Sequence, residues 1–162
     1  MAKHNSADVA FARNYLALQL QAEAAARLVA THAGHQELTT MADRIQHRSQ
    51  DADDIRAWLH DWHEGMEGPS TLPFDDLIRM QDLNDMRSHH GAGFDDDWMD
   101  HLDGNHAAGI AACQDELRHG VNPQARHLAE HRLGTLRSEK AWLDRHHDAW
   151  QHDRHSEMHH DD

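Results

Sequence analysis

The sequence predicts an all-α protein, a four-helix bundle made of two repeated helical hairpins with a short connector helix between them. Three observations favour this fold class. Apolar residues recur at helical spacing through four long stretches, no alternating pattern typical of β-strands occurs, and the second half of the chain repeats the first. At 162 residues the chain has the length of one ordinary domain, so we predict a single domain over residues 1–162.

The first hairpin is predicted from two helices. The first helix runs from about residue 6 to 31, with Asn5 or Ser6 as its N-cap and Gly34 after its end. The second helix runs from about residue 36 to 61. Their apolar positions, which share one face of each helix, are Phe11, Tyr15, Leu18, Ala22, Ala25, Val29, Leu38, Met41, Ala42, Ile45, Ile55, Trp58 and Leu59.

A break rich in glycine and proline separates the hairpins at residues 65–70. The connector helix that follows is predicted to start at Ser70 or Thr71, with Pro73 in its first turn, and Gly91 and Gly93 end the connector. Its expected buried residues are Phe74, Leu77, Ile78 and Met80.

The second hairpin is predicted from a third helix over about residues 94–119 and a fourth from Pro123 to about His152. Gly120 stops the third helix, and residues 153–162 are expected to fray. The halves align at a shift of 87 residues, which gives repeat one over 5–64, a connector over 65–92 and repeat two over 93–152. Matching positions include Phe11 and Trp98, Tyr15 and Leu102, and, after a slip of three residues, Ala57-Trp58-Leu59 and Ala141-Trp142-Leu143.

Composition narrows the class of partner. The formal charge is −14, so nucleic acid and anionic membrane surfaces are not expected, and a cation is the natural small partner. No apolar run is long enough to cross a bilayer, so membrane insertion is not predicted. The 19 histidines point to metal binding or to solvated surface residues. The single cysteine, Cys113, is interpreted as a core residue.

The sequence carries no pattern typical of an enzyme active site. It has no nucleophile with its base, no phosphate-binding loop and no dinucleotide fingerprint, so we predict a non-enzymatic protein. Glu116-x-x-His119 matches half of a di-metal carboxylate motif, but the other match, Glu157-x-x-His160, lies in the predicted tail. A ferritin-type di-iron oxidase is therefore not predicted.

Several segments together resemble the bacterial proteins grouped as domain of unknown function 305. The resemblance spans about residues 4–143 and is carried by residues 4–11, 38–45, 57–59, 93–99 and 120–129. It implies a ferritin-like bundle and a periplasmic or secreted location. Because the start of this chain has no apolar stretch of signal-peptide type, a cytoplasmic location stays open. Some members of that family bind copper or silver through histidine and methionine.

The hallmark of that family, M-I-x-H-H-x-x-A-I-x-M-A once per half, is largely replaced here. The histidine pair becomes Leu18-Gln19 in the first half and Asn105-His106 in the second. Alanines, Ala25 and Ala112, stand at the later methionine positions, and the downstream signature Q-x-x-E-I-x-x-M is reduced to Glu139. The resemblance therefore implies the fold more strongly than it implies the metal site.

Three groups of residues are candidate metal ligands. His106 with Asp103 one turn earlier is the inherited candidate, and the alternative is a half-buried histidine bonded to a neighbouring carboxylate. The second is a crossover group, His60, His63, Met66, His89 and His90, and its alternative is a set of exposed loop histidines. The third is a C-terminal stripe, Asp144, Asp148, His152, His155 and His159, and its alternative is a solvated helix face.

Two functions follow from these patterns. The first is a non-enzymatic protein of the cell envelope that binds or sequesters copper-like metal ions at the crossover group or the C-terminal stripe. The second is a divergent family member that has lost the metal site and acts as a structural or protein-interaction module. Convergence of histidines that are distant in sequence would favour the first. The metal and the oligomeric state, including a homo-oligomer, are left open.

Overall fold

The structure is a computed structural model that describes residues 3–65 and 78–160, with side chains described as far as residue 152. This part of the chain is helical and contains no β-strand, so the predicted all-helical bundle is confirmed. Its helices are α1 Ser6–Ala26, α2 Val29–His32, α3 Glu37–Gln46, α4 Ser49–Asp61, α5 Met80–Arg87, α6 Ala92–His119 and α7 Pro123–His160. Within the described ranges, no helix is long and apolar enough to cross a membrane.

Helix α1 begins where the sequence predicts. The Asn5 side chain accepts a hydrogen bond from the Asp8 amide at 3.0 Å, and the Asp8 carboxylate accepts one from the Asn5 amide at 2.8 Å. This reciprocal capping box satisfies two amides that the first helical turn leaves unpaired. Each long helix predicted for the first hairpin is divided by a short turn, α1 from α2 at residues 27–28 and α3 from α4 at residues 47–48.

The helices pack as two hairpins. Helices α6 and α7 pack along each other, and α1 packs against α6, α4 and α3. An isolated β-bridge joins Ala33 to Gly91, and the Gly91 amide donates to the carbonyl of His32 at 2.9 Å. Gly91 has a φ of +64°, a conformation that favours glycine, and α6 starts directly after it. The bridge holds the end of the first hairpin beside the start of the second.

The apolar core has two parts. One lies among the end of α1, α3, α5 and the first turns of α6, and contains Met86, Phe94 and Trp98. The other lies among the first half of α1, α4, the end of α6 and the first half of α7, and contains Phe11 and Ile55. The buried side chains of Arg48, His106 and Glu139 lie at chain positions between these two clusters.

Most predicted core positions are buried, and Cys113 is buried as predicted. Met80 is a correction, because it was expected in the core and is 68% exposed. It opens helix α5 on the solvent side, while Ile78 and Met86 supply the buried contacts of that segment. Trp58 is partly buried. The predicted cap and first turn of the connector helix, from Ser70 to Leu77, lie outside the described residues. Helix α7 continues to His160, beyond its predicted end near residue 152.

Candidate functional site

The inherited histidine lies in a buried ion-pair network. Glu139 on α7 accepts hydrogen bonds from Arg48 Nη1 at 2.6 Å and Nη2 at 2.9 Å, and its Oε1 lies 2.8 Å from His106 Nε2. The other ring nitrogen of His106, Nδ1, lies 2.9 Å from the carbonyl of Leu102. Both nitrogens face oxygen acceptors, so a metal could bind His106 only after one of these contacts breaks.

This network fixes the charge of Glu139. Burial alone would raise the pKa of this carboxyl, but the hydrogen bonds from His106 and Arg48 outweigh burial and lower the pKa to about 2. Glu139 is therefore ionised at neutral pH. His106, Arg48 and Glu139 are 1%, 6% and 2% exposed.

A second, partly buried ion pair lies further along the same helices. Asp51 on α4 accepts hydrogen bonds from Arg132 Nε at 2.6 Å and Nη2 at 3.0 Å. The Tyr15 hydroxyl donates to the same carboxylate at 3.0 Å. Burial, followed by the charge of Asp51, raises the pKa of Tyr15, so its hydroxyl stays protonated as a donor.

The two arginines occupy equivalent positions in the repeat. Arg48 and Arg132 are 84 residues apart, the same separation as Trp58 and Trp142. Arg48 pairs with a carboxylate of the second half, and Arg132 pairs with a carboxylate of the first half. The two halves are therefore joined by a reciprocal pair of charged contacts.

The remaining motif positions offer no soft ligand. Leu18 is buried and its carbonyl accepts from Asn105 Nδ2 at 3.0 Å, which confirms that Asn105 faces the interior. Gln19 Nε2 donates to the carbonyl of Ile45 at 3.0 Å. Ala25 and Ala112 are buried and carry no donor atoms. The residues at the inherited positions therefore do not fit a copper ion.

For His106 the structure matches the alternative, a histidine bonded to a carboxylate, although Asp103 does not supply that carboxylate. Asp103 lies 3.1 Å from Lys140 Nζ, and the carboxylate that contacts His106 comes from Glu139 on another helix. The ring is also fully buried instead of half-buried. The i, i+3 spacing placed both residues on neighbouring turns of one helix, but it could not show that α7 brings a better-placed carboxylate.

The structure does not bring the crossover group together. His60 and His63 lie at the end of α4, where Arg13 near the start of α1 contacts Gly65. His89 and His90 lie beside α2, beyond the other end of α1. A 21-residue helix is about 30 Å long, so the two histidine pairs lie at opposite ends of the bundle. Met66 lies outside the described residues.

The C-terminal stripe lies on one uninterrupted helix, as its spacing requires. Asp144 is paired with Lys140 at 3.0 Å, and His152 is exposed. The side chains of His155 and His159 lie outside the described part of the chain.

A different set of histidines gathers at one end of the bundle. This histidine-rich end is formed by six residues from α2, the turn after it, the turn before α6, and the last described turns of α7. They are His32, His35, His89, His90, His146 and His147.

Aspartates in the first turns of α6 hold three of these histidines. His35 Nδ1 lies 2.5 Å from Asp95 Oδ2, and His89 Nδ1 lies 2.5 Å from Asp97 Oδ2. His147 lies within 3.7 Å of Asp96. Three consecutive aspartates thus contact three histidines from separate segments.

Ring contacts position His32, His90 and His146, and they add a second contact to His35. His32 and His90 stack with ring centroids 4.5 Å apart. His35 stacks on Trp150 at 3.6 Å, and His146 packs between Trp142 and Trp150. Among the described residues, no three His, Cys, Asp or Glu side chains are positioned to share one metal ion. Of this set, sequence reasoning named His89 and His90. The run Asp95-Asp96-Asp97 was the signal that could have located the others.

Glu116 and His119, the half-motif for a di-metal site, separate in the structure. His119 is exposed, whereas Glu116 is buried against Asp8 and Gly120. Burial, and then the neighbouring Asp8, raise the pKa of Glu116 to about 9, so this carboxyl is protonated at neutral pH. Asp8 also accepts hydrogen bonds from the backbone amides of residues 121 and 122, and these bonds connect α1 to the turn between α6 and α7.

Comparison with known proteins places these features in a family. A putative secreted protein of the domain of unknown function 305 type from Streptomyces coelicolor has a similar structure, with a TM-score of 0.77, 17% identity, and 85% of this chain and 88% of that chain covered. CopM is similar in its Cu(II)-bound form, with a TM-score of 0.75, 15% identity, and coverage of 88% and 97%. The Cu(I)-bound form of CopM has a TM-score of 0.71 and 14% identity, with 88% of this chain and 96% of that chain covered.

At these identities the structural similarity shows the fold alone. No curated protein matches the sequence. The family model for domain of unknown function 305 matches residues 8–146, which is most of the chain. The chain belongs to the domain of unknown function 305 family.

Proposed function

We propose that this chain is a non-enzymatic protein of the cell envelope that binds copper-like metal ions at its histidine-rich end and not at the inherited interior positions. The observation that carries the proposal is the gathering of six histidines from separate segments at one end of the bundle. The copper-bound forms of CopM, which share this fold, support the choice of metal. The secreted relative supports the location.

The aspartates of α6 prepare two of these histidines as ligands. His35 and His89 each use Nδ1 to contact an aspartate, which leaves Nε2 on each ring for a metal. Such a carboxylate partner orients the ring and fixes which nitrogen is presented to a metal. His32 differs, because its Nδ1 and its Nε2 both contact neighbouring polar atoms.

Metal binding at this end would require its side chains to turn, because the consecutive aspartates of α6 face different directions. The side chains of His35 and His89 are 37% and 49% exposed, so they can turn without disturbing the core. The negative net charge raises the local concentration of cations near the protein. Imidazole nitrogen is a common ligand for copper and zinc, and protonation removes it as a ligand, so binding should weaken in acid.

Copper titration of matched triple variants tests the proposal. We expect H35A/H89A/H147A to bind Cu²⁺ at least about tenfold more weakly than the wild type, a loss of about 1.4 kcal/mol. The control H47A/H60A/H119A removes three histidines outside the histidine-rich end and should keep wild-type affinity. Equal affinity in both variants would show that this end does not bind the metal.

The closed interior favours a second candidate, a structural or protein-interaction module without metal. In it, the ion pairs of Arg48 with Glu139 and of Arg132 with Asp51 join the two halves where family members carry the metal motif. Calorimetry of the full chain with Cu²⁺ and Ag⁺ separates the two functions. Affinity weaker than roughly 0.1 mM, about −5.5 kcal/mol, would leave the module as the function.

A further inference from the structure

A groove between α4 and α7 carries a second pair of histidines, far along α7 from the histidine-rich end. Its volume is about 460 Å³. His127 and His131 line it from α7, Asp54 and Trp58 line it from α4, and Leu128 forms part of its apolar wall. An adjoining hollow is lined by the same two histidines and Glu130.

The spacing of the two histidines suits a chelate. Residues four apart lie one turn above each other on a helix, so both imidazoles project from the same face of α7. Ala125 and Ala129, nearly on the opposite face of the helix, are fully buried in the core. This burial fixes the rotation of α7 and keeps the two histidines on its exposed side, where they line the groove.

Both rings are available to a ligand. His127 and His131 are exposed, and in the described part of the chain neither ring nitrogen has a hydrogen-bond or ion-pair partner. By contrast, His106 and His146 each have a ring nitrogen that contacts a backbone carbonyl. A metal at His127 and His131 would therefore displace no existing protein contact.

We propose that His127 and His131 chelate a borderline divalent cation, Cu²⁺, Ni²⁺ or Zn²⁺, while Asp54, which lines the groove from α4, adds negative charge near the pair. Two imidazoles on one helix face match the ligands these ions prefer, and water fills the remaining positions. Glu130 adds negative charge beside the pair. This site is independent of the proposed copper site, since its residues are separate from the histidine-rich end.

Paramagnetic broadening of amide NMR signals by Cu²⁺ tests the site directly in the full chain. At less than one equivalent of Cu²⁺, signals of residues 124–134 and 54–58 should broaden in the wild type. They should also broaden in H35A/H89A/H147A, which keeps this site whatever happens to the proposed function. Alanine is a strong helix former at these exposed positions, so H127A/H131A should fold normally and lose the broadening.

The matched control is H60A/H119A, which removes two exposed histidines that do not line the groove and should leave the broadening unchanged. Either single variant, H127A or H131A, should need about tenfold more Cu²⁺ for the same broadening, because one imidazole cannot chelate. Broadening that persists in H127A/H131A, or that is no stronger around residues 127–131 than around His60 and His119 in the wild type, would overturn the proposal.

Discussion

The buried ion pairs and the histidine-rich end use similar chemistry with different outcomes. In both places carboxylates contact cationic or imidazole groups. Arg48 and Glu139 are almost fully buried, and their side chains are 7% and 2% exposed, so the contact is closed to solvent and ligands. His89 and Asp97 are 49% and 39% exposed, and one ring nitrogen remains available. Burial thus makes such a contact a structural link, whereas exposure leaves one ring nitrogen open to solvent.

Removing one partner of the buried pair should have the largest effect. E139L would leave the Arg48 guanidinium buried without its carboxylate, so the free energy of unfolding should fall by about 3–5 kcal/mol. Denaturant unfolding measures this loss. The double variant R48M/E139L removes both charges and should regain most of the stability. If the double variant were less stable than the single one, the pair would not act as a closed electrostatic link.

Acid should weaken the same interior link. The pKa of Glu139 is about 2 in the folded state, below its ordinary value of 4.5, so the unfolded state takes up the proton first. Its contribution, roughly 3 kcal/mol for a shift of this size, is present above about pH 5 and is lost as the pH falls toward 2. Unfolding experiments across this range should show a shallower loss in E139Q. Equal slopes in both proteins would assign the acid sensitivity to other carboxyls.

Restoring one motif histidine should damage the interior instead of reviving a metal site. L18H would place a polar ring without partners at a position that is now apolar and buried, at a cost of about 2–3 kcal/mol. Thermal melts with and without Cu²⁺ test both parts. Recovery of the melting temperature on adding copper would show that the inherited site still functions.

A methyl group at Gly120 tests how tightly the buried acid pair is packed. In G120A the new Cβ would collide with the Glu116 carboxyl and approach Asp8 Oδ1 to 2.6 Å. We expect a loss of about 1–2 kcal/mol, because both carboxyls are confined. The control is G93A, where the added carbon meets nothing within 4 Å and where alanine favours the helix. Denaturant midpoints of the two variants should therefore move in opposite directions.

Breaking an exposed pair at the histidine-rich end should change stability least. D97N removes the charged partner of His89, and exposed pairs contribute less than about 1 kcal/mol. The melting temperature should stay near that of the wild type, while Cu²⁺ affinity should fall because the ring of His89 loses its orienting carboxylate. A large drop in stability would place this contact with the buried pairs.

Local sequence signals located the helices better than the contacts between them. The cap at Asn5, the stop at Gly120 and the apolar stripe of α1 depend on neighbours within a few residues. These features could therefore be predicted from the sequence alone. The turns at residues 27–28 and 47–48 were missed, because no glycine or proline marks them.

The candidate sites depend on long-range placement and were harder to predict. The ring of His106 contacts Glu139, which lies 33 residues away in the chain on another helix. The histidines of the crossover group flank the same connecting segment of the chain, but the two pairs lie at opposite ends of α1. Only packing reveals that His35, on the turn after α2, lies beside Asp95 and Trp150.

The reciprocal arginine pairs have a consequence for how the chain is made. Arg48 pairs with Glu139, which lies 91 residues later in the chain, and Asp51 pairs with Arg132, which lies 81 residues later. As the ribosome releases the first hairpin, both of its charged groups face water on a surface that later becomes interior. Domains generally fold as units, so a fragment of residues 1–64 should stay loosely structured until the second hairpin arrives. We therefore expect folding to be completed only after the second hairpin is synthesised, and two separately expressed halves should acquire a stable structure only when mixed.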